Sequence, residues 1–164
     1  MSALLTNPTR VFGIVALISL GGVAAAMVSQ HVYDMQPCPW CVLQRLIFVV
    51  IGIVACLGLL WRSRTGRLIV AIAVDLLATL GIVTALWQHF VAAASQSCNL
   101  TLADKIMAAT GLDGLLPDVF AARASCADAA VNMLGVPYEF WSLGLFAMVG
   151  ALAVLALLGI LKRR

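Results

Sequence analysis

The chain has 164 residues, of which 63% are hydrophobic and 10% charged, with a formal net charge of +3. A mean hydropathy of +1.08 excludes a soluble globular domain; a chain of this length has room for about four membrane spans of roughly 20 residues and one sizeable loop. The basic residues gather at the ends of apolar runs, so the pI of about 8.8 reports membrane orientation and gives no argument for nucleic acid.

The first run, Val11 to Val28, follows Arg10 and contains Ala24-Ala25-Ala26 near its end. A secretory signal peptide shares that pattern, but its apolar part is usually about 7 to 15 residues, so this run is read as a retained span. His31, just beyond it, reads first as an interface histidine, although its ring could exchange a proton with a reduced acceptor.

A polar stretch leads to Cys38-Pro39-Trp40-Cys41 and the second run, Val42 to Trp61. Two thiols separated by two residues can close a small, readily reduced ring. A cysteine near a helix N-terminus has its thiolate favoured by unsatisfied N–H groups and the helix dipole. Cys41 is the better placed of the two, with Arg45 one turn deeper on the same face and Gln44 beside it. A cation there can hold a thiolate or an electron acceptor. A structural disulfide, half of a metal site and an arginine snorkelling at the interface are the plainer readings. Trp40 reads as an interface anchor that could also flank a bound ring. Cys56 lies about 22 Å deeper along the helix and reads as a small buried hydrophobe.

The Arg-rich connector Arg62 to Arg67 precedes the third run, Leu68 to Trp87. Asp75 is the one acidic residue inside a run, read either as a functional carboxyl or as a neutral acid bonded to a neighbouring helix. His89 sits just past the end of this run, where its ring could exchange a proton with a reduced acceptor, though an ordinary interface histidine is the plainer reading. The longest connecting stretch, 88–140, carries Cys98 and Cys126. Near-helical apolar spacing over Leu102 to Met107 and Leu112 to Ala122, broken by Gly111, Gly114 and Pro117, predicts short surface helices with Leu115, Leu116, Val119 and Phe120 facing lipid. The fourth run, Trp141 to Leu161, ends in Lys162, Arg163 and Arg164. Gly21, Gly22, Gly52, Gly58, Gly81, Gly144 and Gly150 read as close helix contacts.

These elements give an all-α membrane protein: one domain over 1–164, a four-transmembrane-helix bundle with short surface helices in the second outer loop. The positive-inside rule puts both termini and the Arg-rich connector in the cytoplasm. Loops 29–41 and 88–140, with Cys38, Cys41, Cys98 and Cys126, then lie on the outer side, which in a bacterium is the periplasm, where thiols can be held oxidised.

The segment Cys38-Pro39-Trp40-Cys41-Val42-Leu43-Gln44-Arg45 at the outer start of the second of four spans, with a distant cysteine pair in the second outer loop, resembles the DsbB family of bacterial inner-membrane disulfide oxidoreductases. The resemblance implies a disulfide between Cys98 and Cys126 that a reduced, soluble DsbA-like partner attacks at Cys98. It implies that Cys126 then exchanges with Cys38, and that the freed Cys41 thiolate donates to a membrane quinone, ubiquinone or menaquinone. Arg45, with Gln44 beside it and His89 as the nearest match to the family's histidine, would form the quinone-binding set.

Two readings from other classes stand beside this one. Four outer cysteines could make an all-thiolate zinc site in a structural membrane module, although only one pair has ligand-like spacing. A small transporter could use Asp75 as its ion site, but no repeat or broken span is visible. A Gly-rich phosphate loop, a Ser/His/Asp grouping and a haem attachment signature are absent from the sequence.

Overall fold

The computed structural model describes residues 7–94 and 101–162, so Cys98 lies outside the described residues. Four long helices carry the fold: α1 (Pro8–Val32), α2 (Pro39–Leu60), α3 (Arg64–Trp87) and α7 (Tyr138–Lys162). Each is long and apolar enough to cross a membrane. They run alternately up and down and close a ring, α1 against α2, α2 against α3, α3 against α7 and α7 against α1.

Local signals start the helices before the apolar runs begin. The Asn7 side chain caps α1 by accepting from the Thr9 N–H, with Pro8 as the first helical residue. Ser63 caps α3 through the Gly66 N–H. Cys38 caps α2 with its sulfur, which accepts from the Cys41 N–H at 3.3 Å, and Pro39 again takes the first position. The second helix therefore starts at Pro39 instead of Val42, and both thiols belong to its N-terminus.

The bundle interior is apolar and close-packed. Phe48 and Phe146 stack with ring centroids 3.8 Å apart and planes 4° apart. Such a pair contributes about 0.5–1.5 kcal/mol beyond its buried area. Gly81 lies directly beneath the Phe146 ring, where a Cβ would overlap it, and Gly58 gives the same close approach to Phe12 and Val70. Gly52 and Gly22 lie against Leu20 and Leu145. Gly21 and Gly144 face open space, so these two are not close helix contacts. Large apolar side chains such as Leu17, Leu76 and Leu158 point outward, as lipid-facing residues must in a bundle whose solvent is hydrocarbon. Cys56 is on that exposed face, not buried: lipid is as apolar as a core, so hydrophobicity does not select the inward side.

The connection between α3 and α7 covers the cysteine-bearing end. A wide π-helical turn, Gln88–Ala92, prolongs α3. Beyond the undescribed stretch come α4 (Leu102–Thr110), α5 (Leu112–Leu115) and α6 (Pro117–Phe120). Thr101 and Asp104 form a capping box at the start of α4. Leu115 and Leu116 are exposed, but Phe120 is buried and Val119 partly so, which corrects the expectation that all four face lipid. The cause is polar. Arg45 and Gln30 hold the backbone carbonyls of Val119 and Asp118, and this turns α6 inward. A hairpin of β1 (Asn132–Met133) and β2 (Val136–Pro137) then leads into α7. Its two-residue turn places both Leu134 (φ 56°) and Gly135 (φ 80°) in the left-handed region that a primed turn requires.

Candidate functional site

Three cysteines meet at the N-terminus of α2. The Cys38 and Cys41 sulfurs are 2.7 Å apart. Cys126 is brought to the same place by a backbone clip in which the N–H groups of Arg123 and Ala124 both donate to the Pro37 carbonyl, at 2.9 and 3.2 Å. The Cys126 sulfur lies within hydrogen-bonding reach of Cys38 and accepts the backbone N–H of Trp40. Cys38 thus stands between two possible sulfur partners.

The two loop-side thiols are driven apart electrostatically. Hydrogen bonding to Cys126, then to Cys41, together with burial, holds the Cys38 thiol well above its ordinary value. The same Cys38 hydrogen bond lowers Cys126, with help from the Trp40 N–H and against the cost of burial. Cys126 is the better nucleophile of the two and Cys38 the sulfur it faces.

Cys41 borders a different space. Its sulfur accepts from Gln88 Nε2 at 3.2 Å, Gln88 Oε1 accepts from Gln44 Nε2 at 2.7 Å, and Ser142 donates to Gln44 Oε1. This row of buried amides fixes its own direction: Gln44 occupies the Gln88 carbonyl, so the NH2 of Gln88 must face sulfur. Cys41, Gln44, Arg45 and Phe48 of α2 line a cavity of about 840 Å³, closed by Gly22 and Ala26 of α1 and by the first turns of α7. The Gly144 side has no atoms filling it. Arg45 is buried at the cavity wall, donating to Gln30 Oε1 at 2.7 Å and to the Val119 carbonyl at 3.0 Å.

His89 donates or accepts at Nδ1 with Glu139 Oε1, 2.6 Å away, and its ring packs against Phe90 and Phe140. Glu139 lines the cavity, while His89 sits behind it. Trp40 is buried against Trp87, ring centroids 6.3 Å apart, and does not border the cavity, so it neither anchors at the interface nor flanks a ring there. Asp75 is far from this end, beside Gly150 of α7. Among the described residues, no group of three or more His, Cys, Asp or Glu side chains could hold a metal ion, and the zinc reading has no support.

The sequence matches the family described as "Disulfide bond formation protein DsbB" over residues 8–156. The chain belongs to the DsbB family. Its relatives include the protein named "Disulfide bond formation protein B" from Dechloromonas aromatica, 32% identical over 148 residues and 88% of each chain. The protein of the same name from Ralstonia nicotianae is 32% identical over 93% of this chain and 95% of its own. That from Polaromonas naphthalenivorans is 29% identical over 98% of both. This DsbB-family chain is accordingly a multi-pass, disulfide-forming oxidoreductase of the membrane.

Of the residues selected from sequence, Cys38, Cys41, Cys126, Gln44 and Arg45 come together, and His89 adjoins them through Glu139. Sequence reading missed Gln88, Gln30, Ser142 and Glu139. Glu139 did carry a signal, since it is the single glutamate of the chain and lies at the head of an apolar run.

Proposed function

We propose that the protein reoxidises a soluble, periplasmic DsbA-like dithiol and passes the electrons to a membrane quinone, so sustaining disulfide formation in exported proteins. The supporting observation is the position of Cys38, in reach of Cys126 on the loop side and of Cys41 on the cavity side. The partner's thiolate attacks the Cys98–Cys126 disulfide at Cys98; the partner's second thiol then displaces Cys98 and leaves with its own disulfide. Cys126 attacks Cys38, breaking the Cys38–Cys41 bond and freeing Cys41. Cys98 next closes on Cys126, so that Cys38 leaves and the loop pair is restored. Two electrons now reside in the Cys38 and Cys41 dithiol.

A cavity of about 840 Å³, its wall mostly apolar in area with polar side chains such as Gln44, Arg45 and Glu139 set into it, fits a quinone ring with part of its tail. A bound quinone supplies a sink for two electrons and two protons. Arg45 and Gln44 hold it, and Arg45 stabilises negative charge in a wall with little water. Gln88 keeps negative charge on the Cys41 sulfur until the dithiol closes. The membrane is the bacterial inner membrane, with the Arg62, Arg64 and Arg67 connector and Lys162 on the cytoplasmic side and the cysteines in the periplasm.

Anaerobic thiol counting tests this. Fully reduced, metal-free protein in detergent is mixed with a short-chain quinone and labelled within seconds by a mass-tagged alkylating reagent. A fall from five free thiols to one, Cys56, is expected. Five thiols remaining would refute quinone coupling.

A further inference from the structure

Glu139 is the one buried side-chain carboxyl group among the described residues, its side chain 3% exposed. Its Oε1 pairs with His89 Nδ1, and its Oε2 is buried with no hydrogen-bond partner. A carboxylate oxygen left so is costly, and its usual explanation is a ligand or a proton. Glu139 belongs to the wall of the cavity that Cys41 also borders. The His89 ring is 31% exposed and reaches the outside of the bundle. The pair therefore spans from the protein surface to the cavity, with Glu139 at the inner end.

Electron and proton balance gives such a pair a task. Closing the Cys38 and Cys41 dithiol into a disulfide yields two electrons and two protons, and reducing a quinone to its quinol consumes two of each. If Cys41 acts as a thiolate, its proton has already gone, so at least one proton must reach the acceptor from elsewhere. Arg45 and Arg123 also border the cavity but hold their protons too tightly to give them. Tyr33, Asp34, Asp128 and Tyr138 lie there too, yet none pairs with a histidine leading outward: Asp34 accepts from Gln36 and Asp128 from Ser125.

We propose that Glu139 is the proton donor to the acceptor in the Cys41 cavity and that His89 reloads it from the outer side. This rests on the quinone reading above. Glu139 gives one proton to an acceptor oxygen and becomes a carboxylate; His89 passes it a proton through Nδ1 and recovers one from water. The assignment moves His89 from acceptor contact to a relay position and adds Glu139 to the catalytic cysteines as the proton donor.

The chain holds a single glutamate, so δ-13C-glutamate supplied in cell-free synthesis with transamination blocked makes Glu139 the one labelled side-chain carboxyl. Reduced, labelled full-length protein is mixed with a short-chain quinone, and its protonated carboxyl stretch is followed by time-resolved infrared spectroscopy. The band is expected to fall as quinol forms and then recover, with His89→Phe slowing the recovery. Glu139→Gln, which keeps the shape but carries no acidic proton, is expected to slow quinol formation about 100-fold, within the usual range for general acids. Its dissociation constant for a redox-inert quinone analogue should change less than threefold. Wild-type protein that makes quinol with an unchanging band would overturn the proposal and leave the quinone reading standing, as would a Glu139→Gln variant of full speed. Loss of analogue binding in Glu139→Gln would make the residue part of the binding site instead. Wild-type protein that neither binds the analogue nor makes quinol would sink the quinone reading itself.

Discussion

Gln88 donates a hydrogen bond from Nε2 to the Cys41 sulfur at 3.2 Å, across the gap between α3 and α2. Gln88 is the first residue of the π-helical turn that prolongs α3, and such turns occur often at functional sites. A hydrogen bond to a charged group contributes about 1.5–3 kcal/mol, and each 1.4 kcal/mol is about tenfold. Gln88→Leu should therefore slow single-turnover quinone reduction by at least about tenfold. At saturating quinone, where the lost Gln44 hold on the acceptor does not limit the rate, Gln44→Leu should cost less, because it frees the Gln88 amide to rotate without removing the donor. Stopped-flow absorbance of the quinone measures both, and equal rates in Gln88→Leu and wild type would remove Gln88 from the scheme.

The paired N–H groups of Arg123 and Ala124 on the Pro37 carbonyl set the approach of Cys126 to Cys38. Ala124→Pro deletes one of these donors. Losing one hydrogen bond of about 1 kcal/mol predicts a roughly fivefold slower closure of a Cys38–Cys126 disulfide. The clean background is Cys41→Ser with Cys98→Ser, in which no other outer pair can form, and non-reducing mass analysis after a brief oxidant pulse gives the rate. An unchanged rate would mean that α6, held by Arg45 and Gln30, positions the loop unaided.

Apolar length made the four spans legible, and cysteine spacing with Arg45 made most of the site legible. What escaped the sequence has physical causes. Which face of a span looks inward is poorly written when lipid and core are equally apolar, hence the misplaced Cys56 and Gly144. Phe120 turned inward because two polar side chains distant in sequence capture neighbouring carbonyls, a tertiary effect that local periodicity does not hold. The hairpin before α7 escaped because Leu134 occupies a left-handed position that Asn or Asp usually marks. Glu139 resembled an ordinary first-turn acid, and only its His89 partner and its unpaired oxygen set it apart.

Gly81 under the Phe146 ring predicts a packing defect when it is enlarged. Gly81→Ala forces the ring off Phe48, and overpacking of this kind costs about 1–3 kcal/mol. The Tm in detergent should fall by several degrees. Phe146→Leu makes room, so the same Gly81→Ala change should cost less in that background, the coupling expected of residues in contact. Equal costs in the two backgrounds would show that the ring does not rest on Gly81.

The divided thiols of the loop side predict a pH signature. The Cys38 hydrogen bond is the largest cause lowering Cys126, so in reduced protein the alkylation of Cys126 should rise with pH through a midpoint below the ordinary thiol value of about 8.5. Below that midpoint Cys126 is protonated and inert; above it the thiolate reacts. Because the lowered value belongs to the folded state, the hydrogen bond's stabilisation is fully present above the unfolded midpoint and is lost as pH falls through the folded one. Cys38→Ala removes the donor but leaves the Trp40 N–H, so the midpoint should move up toward the ordinary value. Peptide mapping of iodoacetamide-labelled Cys126 across a pH series reads the midpoint directly. A midpoint unmoved by Cys38→Ala would assign the lowering to the Trp40 N–H and remove Cys38 as its cause.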